Sequence, residues 1–405
     1  MPIFVFVVCG SEKFINTLNY SVSCLRKFSE NKVIVVTDLS RNEAYIKHDT
    51  IVDIETPKKL TNHEASIYLK TSLHRILDLN DVYCYLDSDV IALSKEVDEI
   101  FNYQYGPITF ASDHCNIEMF SPYAMNCGCL TNSIEKKEKL QELIKSYDPV
   151  FDKEEMTHNM VARELYRTIG KVIKRPWSDV HSLIRLFYVL FMLPKKSSNF
   201  RFNDNIIYKK SKHLWTDNDG NPILYNVLNY YKKIEKNSKF RFNLFQTSWL
   251  DENKKNISTP KCDHLISGIK ENFEITISKN NWTHWNGGVF IFHKESIDFM
   301  ETWHEFTMRI FSDKSWTVRD QGTLAATTWK FGLQNHQRLP EEYNFLADFY
   351  NPNITYNPKF GFTFDNFNST IKPKFIHIYH EFGNKNWEVW QGVEKRTEIG
   401  VGNLN

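Results

Sequence analysis

Val82-Tyr83-Cys84-Tyr85-Leu86-Asp87-Ser88-Asp89-Val90-Ile91-Ala92-Leu93 is the stretch on which the reading of this chain turns. Its apolar, aromatic and β-branched residues predict a central strand covered on both faces, ending at two carboxylates placed two residues apart. Side chains alternate along extended backbone, so Asp87 and Asp89 are expected on one side and Ser88 on the other. Two carboxylates at the end of a buried strand repel each other and resist desolvation; a hard divalent cation relieves both problems. The carboxyl end of a sheet is also where open α/β folds bind their ligands. The same spacing recurs at Asp217-Asn218-Asp219, but Gly220 and Pro222 follow it and no strand-like run precedes it, so it reads as a turn without a metal role.

Outward from this stretch, strands alternate with helices. Ile3 to Val8 reads as a buried strand broken by Cys9-Gly10-Ser11, after which Phe14, Leu18, Val22 and Leu25 fall at helical spacing with Ser11 as N-cap. Lys32 to Thr37 is a second strand ending at Asp38. A helix from about Glu64 carries Ile67, Leu69, Leu73, Ile76 and Leu77 on its apolar side, with Lys70 and Arg75 off that side. Pro107 to Asp113 is one more strand. This alternation predicts right-handed βαβ units and a mostly parallel sheet.

Further on, Trp285-Asn286-Gly287-Gly288-Val289-Phe290-Ile291-Phe292 reads as a polar Gly-Gly turn feeding a strand. Asp320 and Gln321 open a helix, and Phe375 to His380 forms a strand bearing two imidazoles, with Gly383, Lys385 and Trp387 beyond it. The middle of the chain, about 131–280, is harder to parse. It holds a charged helical stretch, Ile134 to Tyr147, and an apolar run, Leu183 to Leu193, expected as a buried helix and too short for the roughly 20 residues that cross a bilayer.

With 405 residues the chain can bury a substantial core, and its 50 basic and 49 acidic residues leave a net charge of +1 that argues against a nucleic-acid partner. The seven cysteines, Cys9, Cys24, Cys84, Cys115, Cys127, Cys129 and Cys262, include no C-x-x-C pair and are expected as buried free thiols in a reducing compartment. The start lacks the basic region of a secretory signal. A cytoplasmic location is expected, with no transmembrane segment and with peripheral membrane association left open.

Taken in order, these blocks resemble the nucleotide-sugar glycosyltransferases of the GT-A fold, nearest the retaining family that includes glycogenin and bacterial lipopolysaccharide galactosyltransferases. The matching pieces are the Gly10 turn, Lys70, Leu86-Asp87-Ser88-Asp89, Asn286-Gly287-Gly288-Val289, Asp320-Gln321-Gly322, Leu339-Pro340 with Tyr343-Asn344, and the His377 to Trp387 segment. They cover 1–115 and 280–390. The family's Asn-Ala-Gly is Asn-Gly-Gly here, and its terminal His-x-x-Gly-x-x-Lys-Pro-Trp is spread over two histidines.

The resemblance implies an α/β fold of GT-A type, a Rossmann-like mixed, mostly parallel sheet flanked by helices, with a large, partly helical insertion. Its halves would be 1–130, binding the nucleotide sugar, and 281–390, with 131–280 an acceptor-side subdomain and 391–405 a tail. Asp87, Asp89 and His377, with His380 as the alternative, would bind Mn²⁺ or Mg²⁺. Gly10, Asp38, Lys70, Ser88, Asn286, Gly287, Gly288 and Lys385 would contact the donor, and Asp320 and Gln321 would act at the transferred sugar.

The activity implied is transfer from a nucleoside-diphosphate sugar, a UDP-sugar foremost, to a hydroxyl acceptor with retention. The acceptor would be a glycan, a lipid-linked group or a protein. Two alternatives stand beside it: a sugar-phosphate nucleotidyltransferase, for which the glycine-rich basic loop after the first strand is missing, and a non-catalytic nucleotide- or glycan-binding relative.

Overall fold

A computed structural model describes residues 1–147, 160–194, 199–212, 214–220, 222–224, 234–243, 248–347, 354–357, 361–364, 370–378 and 380–397. The chain divides into two compact bodies, Met1–Cys127 with Lys261–Asn405, and Gly128–Pro260.

In the first body a six-stranded sheet is built from β1 (Pro2–Val7), β2 (Lys32–Thr37), β3 (Ile51–Asp53), β4 (Val82–Leu86), β6 (Thr109–Asn116) and β7 (Thr283–Phe292), in the order β3-β2-β1-β4-β7-β6. β1 runs parallel to β2 and β4, and β2 to β3, while β7 is antiparallel to both β4 and β6. The result is the mixed, mostly parallel α/β sheet expected. The central strands β1, β2 and β4 are near-continuous apolar runs, buried on both faces. Alternation sorts the side chains: Ile3, Val5, Val7, Tyr83 and Tyr85 enter one core, and Phe4, Phe6, Cys84 and Leu86 the other.

The crossover helices α1 (Glu12–Phe28) and α2 (Asn62–Thr71) follow from local signals. Thr61 accepts from the Glu64 backbone while the Glu64 carboxylate accepts from the Thr61 N–H, a reciprocal cap that fixes where α2 begins. The spacing Thr61-x-x-Glu64 was visible in the sequence and places the start two residues before Glu64. Further helices are α3 (Ile117–Ala124), α4 (His264–Phe273), α5 (Ile297–Arg309) and α6 (Arg319–Lys330).

Two expectations about strands need correction. The strand from Val82 ends at the carboxylates, as expected, but Asp87-Ser88-Asp89 is not extended: β4 ends at Leu86, the three residues form a turn closed by Val90 N–H to Asp87 C=O at 3.1 Å, and β5 (Val90–Ala92) joins a different sheet. That sheet has the order β8-β9-β5, with β8 at Phe345–Leu346 and β9 at Phe375–His377. The Gly287-Gly288 pair, in turn, is no turn. It lies inside β7, where the register against β6 shifts between Asn286 and Phe290.

The second body carries helices at Cys129–Tyr147, Met160–Lys174 and Val180–Phe187, a four-stranded sheet from Phe200 to Leu224, and a strand pair, Arg241–Asn243 with Ser248–Leu250. Asp217-Asn218-Asp219 is the turn between two strands of that sheet, Gly220 N–H donating to Asp217 C=O at 3.2 Å. The Leu183–Leu193 run is not a buried helix as expected. Val189 and Leu193, one helical turn apart, reach the core beside Leu165, while Phe187, Leu190, Phe191 and Met192 are exposed, because the run is apolar on more sides than this small core can cover. Among the described residues no helix is long and apolar enough to cross a membrane. The described part of 391–405 completes a helix, Glu388–Thr397, and the remainder lies outside the described residues.

Candidate active site

Register brings the expected metal ligands together. β9 pairs with β5 so that His377 stands opposite Val90, and Ile378 N–H donates to Asp89 C=O at 3.1 Å. His377 is thereby drawn onto the Asp87-Ser88-Asp89 turn, its Nε2 3.3 Å from Asp89 Oδ1. One ligand atom each from Asp87, Asp89 and His377 lies within 4.8 Å of the others. The two carboxylates converge through the turn rather than through strand alternation. His377 is buried, and His380 lies past the end of β9 and is exposed.

Lys70 was expected off the apolar side of its helix, but it is only 7% exposed. It donates to Asp87 Oδ1 at 3.1 Å and to Asp320 Oδ2 at 3.2 Å. Burial disfavours its charge, yet these two carboxylates outweigh that and raise its pKa. Burial likewise pushes Asp320 towards neutrality, and Lys70 reverses it, holding the carboxyl below the ordinary range. For His377, too, burial opposes charge and Asp89 more than compensates, so its pKa is raised. Tyr85, two residues before Asp87, donates its hydroxyl to Asp87 Oδ1 at 2.5 Å.

Behind His377 runs a chain of buried amides whose orientation follows from its far end. The Asp113 carboxylate only accepts, so Asn286 must turn its Nδ2 to Asp113 Oδ2, at 3.1 Å. The Asn286 Oδ1 is then left to accept from Asn344 Nδ2 at 3.1 Å and from Gly288 N–H at 2.9 Å. Asn344 Oδ1 therefore faces His377 Nδ1 at 3.1 Å, and Nδ1 must carry the hydrogen. Nε2 is the ring nitrogen presented to the two aspartates. Asp113 and Asn344 were not singled out as site residues. The sequence signal for Asn344 was its place in a matching block; Asp113 had none beyond ending a strand.

Of the β7 glycines, Gly288 is required by contact and Gly287 is closely approached. A Cβ at Gly288 would sit 2.4 Å from His377 Cε1, and one at Gly287 would sit 3.1 Å from Gln321 Oε1. Gln321 Oε1 accepts from the Gly287 N–H at 3.0 Å, using one lone pair and leaving the other. Asp320 and Gln321 open α6, as expected, and the Asp320 carbonyl accepts from Trp303 Nε1 at 2.8 Å.

The remaining expected donor contacts are placed less directly. Gly10 has φ of +102° and a Cβ there would meet Asn62 at 2.6 Å. Asp38 is consumed by its own loop: it accepts from Ser40 N–H and Oγ, Thr56 N–H and Oγ1, and Arg41 Nε, donors that outweigh burial and lower its pKa to about 2. Ser88 C=O accepts from Ser21 Oγ at 2.7 Å. Lys385 is exposed on the segment after β9, where its carbonyl accepts from Gln391 Nε2 at 2.8 Å.

Two carboxylates and an imidazole with its second nitrogen already committed form a donor set that fits Mn²⁺, or Mg²⁺ with less use of the nitrogen. The partial exposure of the aspartates, 28% and 22% for their side chains, leaves coordination positions open to a ligand.

No protein-family model and no curated protein matches the chain. Among solved structures it is similar to the apo form of WbbM, a bifunctional glycosyltransferase, at 10% identity and a TM-score of 0.43 over 99% of this chain and 50% of that one. It is also similar to apo mouse xyloside xylosyltransferase 1, at 8% identity and a TM-score of 0.37 over 95% and 99% of the two chains. A third is the galactosyltransferase LgtC in complex with donor and acceptor sugar analogs, at 14% identity and a TM-score of 0.20 over 28% and 47%. The chain thus spans half the length of the first of these.

Proposed function

We propose that this chain is a metal-dependent glycosyltransferase that moves a sugar from a UDP-sugar to a hydroxyl acceptor with retention of anomeric configuration. The observation that carries the reading is the position of Lys70, whose buried ammonium bridges Asp87 of the metal cluster and Asp320 beside Gln321. Breaking an anomeric C–O bond develops positive charge on the sugar and negative charge on the departing diphosphate. A cation held by Asp87, Asp89 and His377 would supply positive charge at that diphosphate. Lys70 adds a second positive charge at the same place, pre-oriented by two carboxylates, so little reorganisation accompanies bond breaking.

On the sugar side, Asp320 is kept ionised by Lys70 and is suited to accept from donor hydroxyls. The free lone pair of Gln321 Oε1 can stabilise positive charge at the anomeric carbon without forming a bond. Asp320 is tied to Lys70 and is poorly placed to deprotonate an acceptor, which favours retention: the acceptor O–H proton passes to the leaving diphosphate oxygen as the new C–O bond forms on the face the diphosphate leaves. Screening nucleotide sugars for Mn²⁺-dependent release of nucleoside diphosphate tests the reading. UDP release from one sugar, lost on chelation, is expected. Release independent of metal, or none across the panel, overturns it. An early NMR time course of the product linkage decides retention, and an inverted product would refute that part.

A further inference from the structure

The cysteines do not all behave as buried free thiols. Cys9, Cys24, Cys84 and Cys115 are buried as expected, but Cys127 and Cys262 are only half-buried and approach each other from positions 135 residues apart. Both belong to the first body, as does His264, and one ligand atom from each of the three lies within 4.8 Å of the others. We propose that Cys127, Cys262 and His264, all of the first body, hold a structural zinc ion.

The geometry points to a shared metal. Cys127 Sγ and Cys262 Sγ are 3.8 Å apart, far beyond a disulfide bond. Two thiolates each about 2.3 Å from a tetrahedral zinc stand about 3.8 Å from one another. Thiolate and imidazole are the ligands zinc prefers, whereas Mn²⁺ and Mg²⁺ prefer oxygen, so this cluster and the aspartate cluster select different ions.

The surroundings hold the ligands in place. Ser121 Oγ is 3.1 Å from Cys262 Sγ and accepts from Leu265 N–H at 2.9 Å, so its own hydrogen is available to a Cys262 thiolate. The Cys262 N–H donates to Glu118 C=O at 3.1 Å, fixing that backbone against α3, and His264 opens α4. The location explains the use. The chain leaves the first body after Cys127 and returns to it at Lys261. A zinc ion here ties the outgoing and returning segments together, closing a long loop whose unfolded freedom is large.

The full chain, purified under reducing conditions without added metal, tests this. About one equivalent of zinc should survive dialysis, disappear in both Cys127→Ser and Cys262→Ser, and persist in Asp89→Ala. Zinc retained by both serine variants, no zinc bound by the wild-type chain even when offered, or a Cys127–Cys262 disulfide found by peptide mapping would each overturn the proposal. Should the variants fail to fold, cobalt exchanged into the wild-type chain answers instead. Thiolate-to-cobalt charge-transfer bands with strong tetrahedral d–d absorption are expected, and their absence refutes the site.

Discussion

The proposed ligands Asp87, Asp89 and His377 offer mostly oxygen and are in part exposed, whereas Cys127, Cys262 and His264 offer sulfur and imidazole where the chain leaves and re-enters the first body. Two hard carboxylates with open positions suit an exchangeable cation that shares its coordination with a substrate; thiolates around a tetrahedral ion suit one that never leaves. On the two proposals, the same body would present one cluster for chemistry and another to hold the chain, and the chemistry of the donor atoms tells them apart.

The largest expected effect separates them directly. Asp89→Ala should lower sugar transfer by on the order of 10²–10³, the usual cost of removing a major electrostatic stabiliser, while zinc content stays constant. A loss of zinc in this variant would merge the two clusters into one phenomenon. Next in size is Gly288→Ala, whose new Cβ would meet His377 Cε1 at 2.4 Å and force the imidazole aside. The Mn²⁺ concentration for half-maximal activity should rise roughly 10–100-fold. An unchanged metal requirement would remove His377 from the ligand set.

How much of this was legible in the sequence depends on the distance over which residues cooperate. The β1, β2 and β4 strands, the α1 helix and the Asp87-Ser88-Asp89 signal could be read locally, because strand and helix periodicities need only a few neighbours. Lys70 could not be placed correctly from its own helix. Its burial is set by Asp87 and by Asp320, the latter 250 positions away, and a lone lysine on a helix gives no sign of partners brought by the sheet. The Asp113–Asn286–Asn344–His377 chain and the Cys127–Cys262 approach are equally long-range, the second spanning 135 positions. The turn at Asp87-Ser88-Asp89 and the change of sheet after it were missed for another reason: both flanking runs are apolar, and periodicity does not reveal that they belong to different sheets.

A smaller effect probes the amide chain. Asp113→Asn removes one of the two anchors that orient Asn286, leaving the Gly288 N–H as the other, so the amide chain holds Asn344 and the His377 tautomer less firmly. The metal requirement should rise about 10-fold, with activity restored at saturating Mn²⁺; a fall in activity that added metal does not repair would assign Asp113 a different role. The smallest effect on chemistry belongs to Cys262→Ser. Mn²⁺-dependent UDP binding should be unchanged while the melting temperature falls by a few degrees, about 2–4 °C for each kcal/mol lost in a domain of moderate size. Weakened UDP binding there would mean that the sulfur cluster serves the nucleotide site.

Calorimetric titration of UDP tests the central claim most directly, in the presence of Mn²⁺, after chelation with EDTA, and with Asp89→Ala. Binding should need the cation and collapse in both the chelated protein and the variant. Equally tight binding without metal would contradict it and leave Asp87, Asp89 and His377 without the role assigned to them.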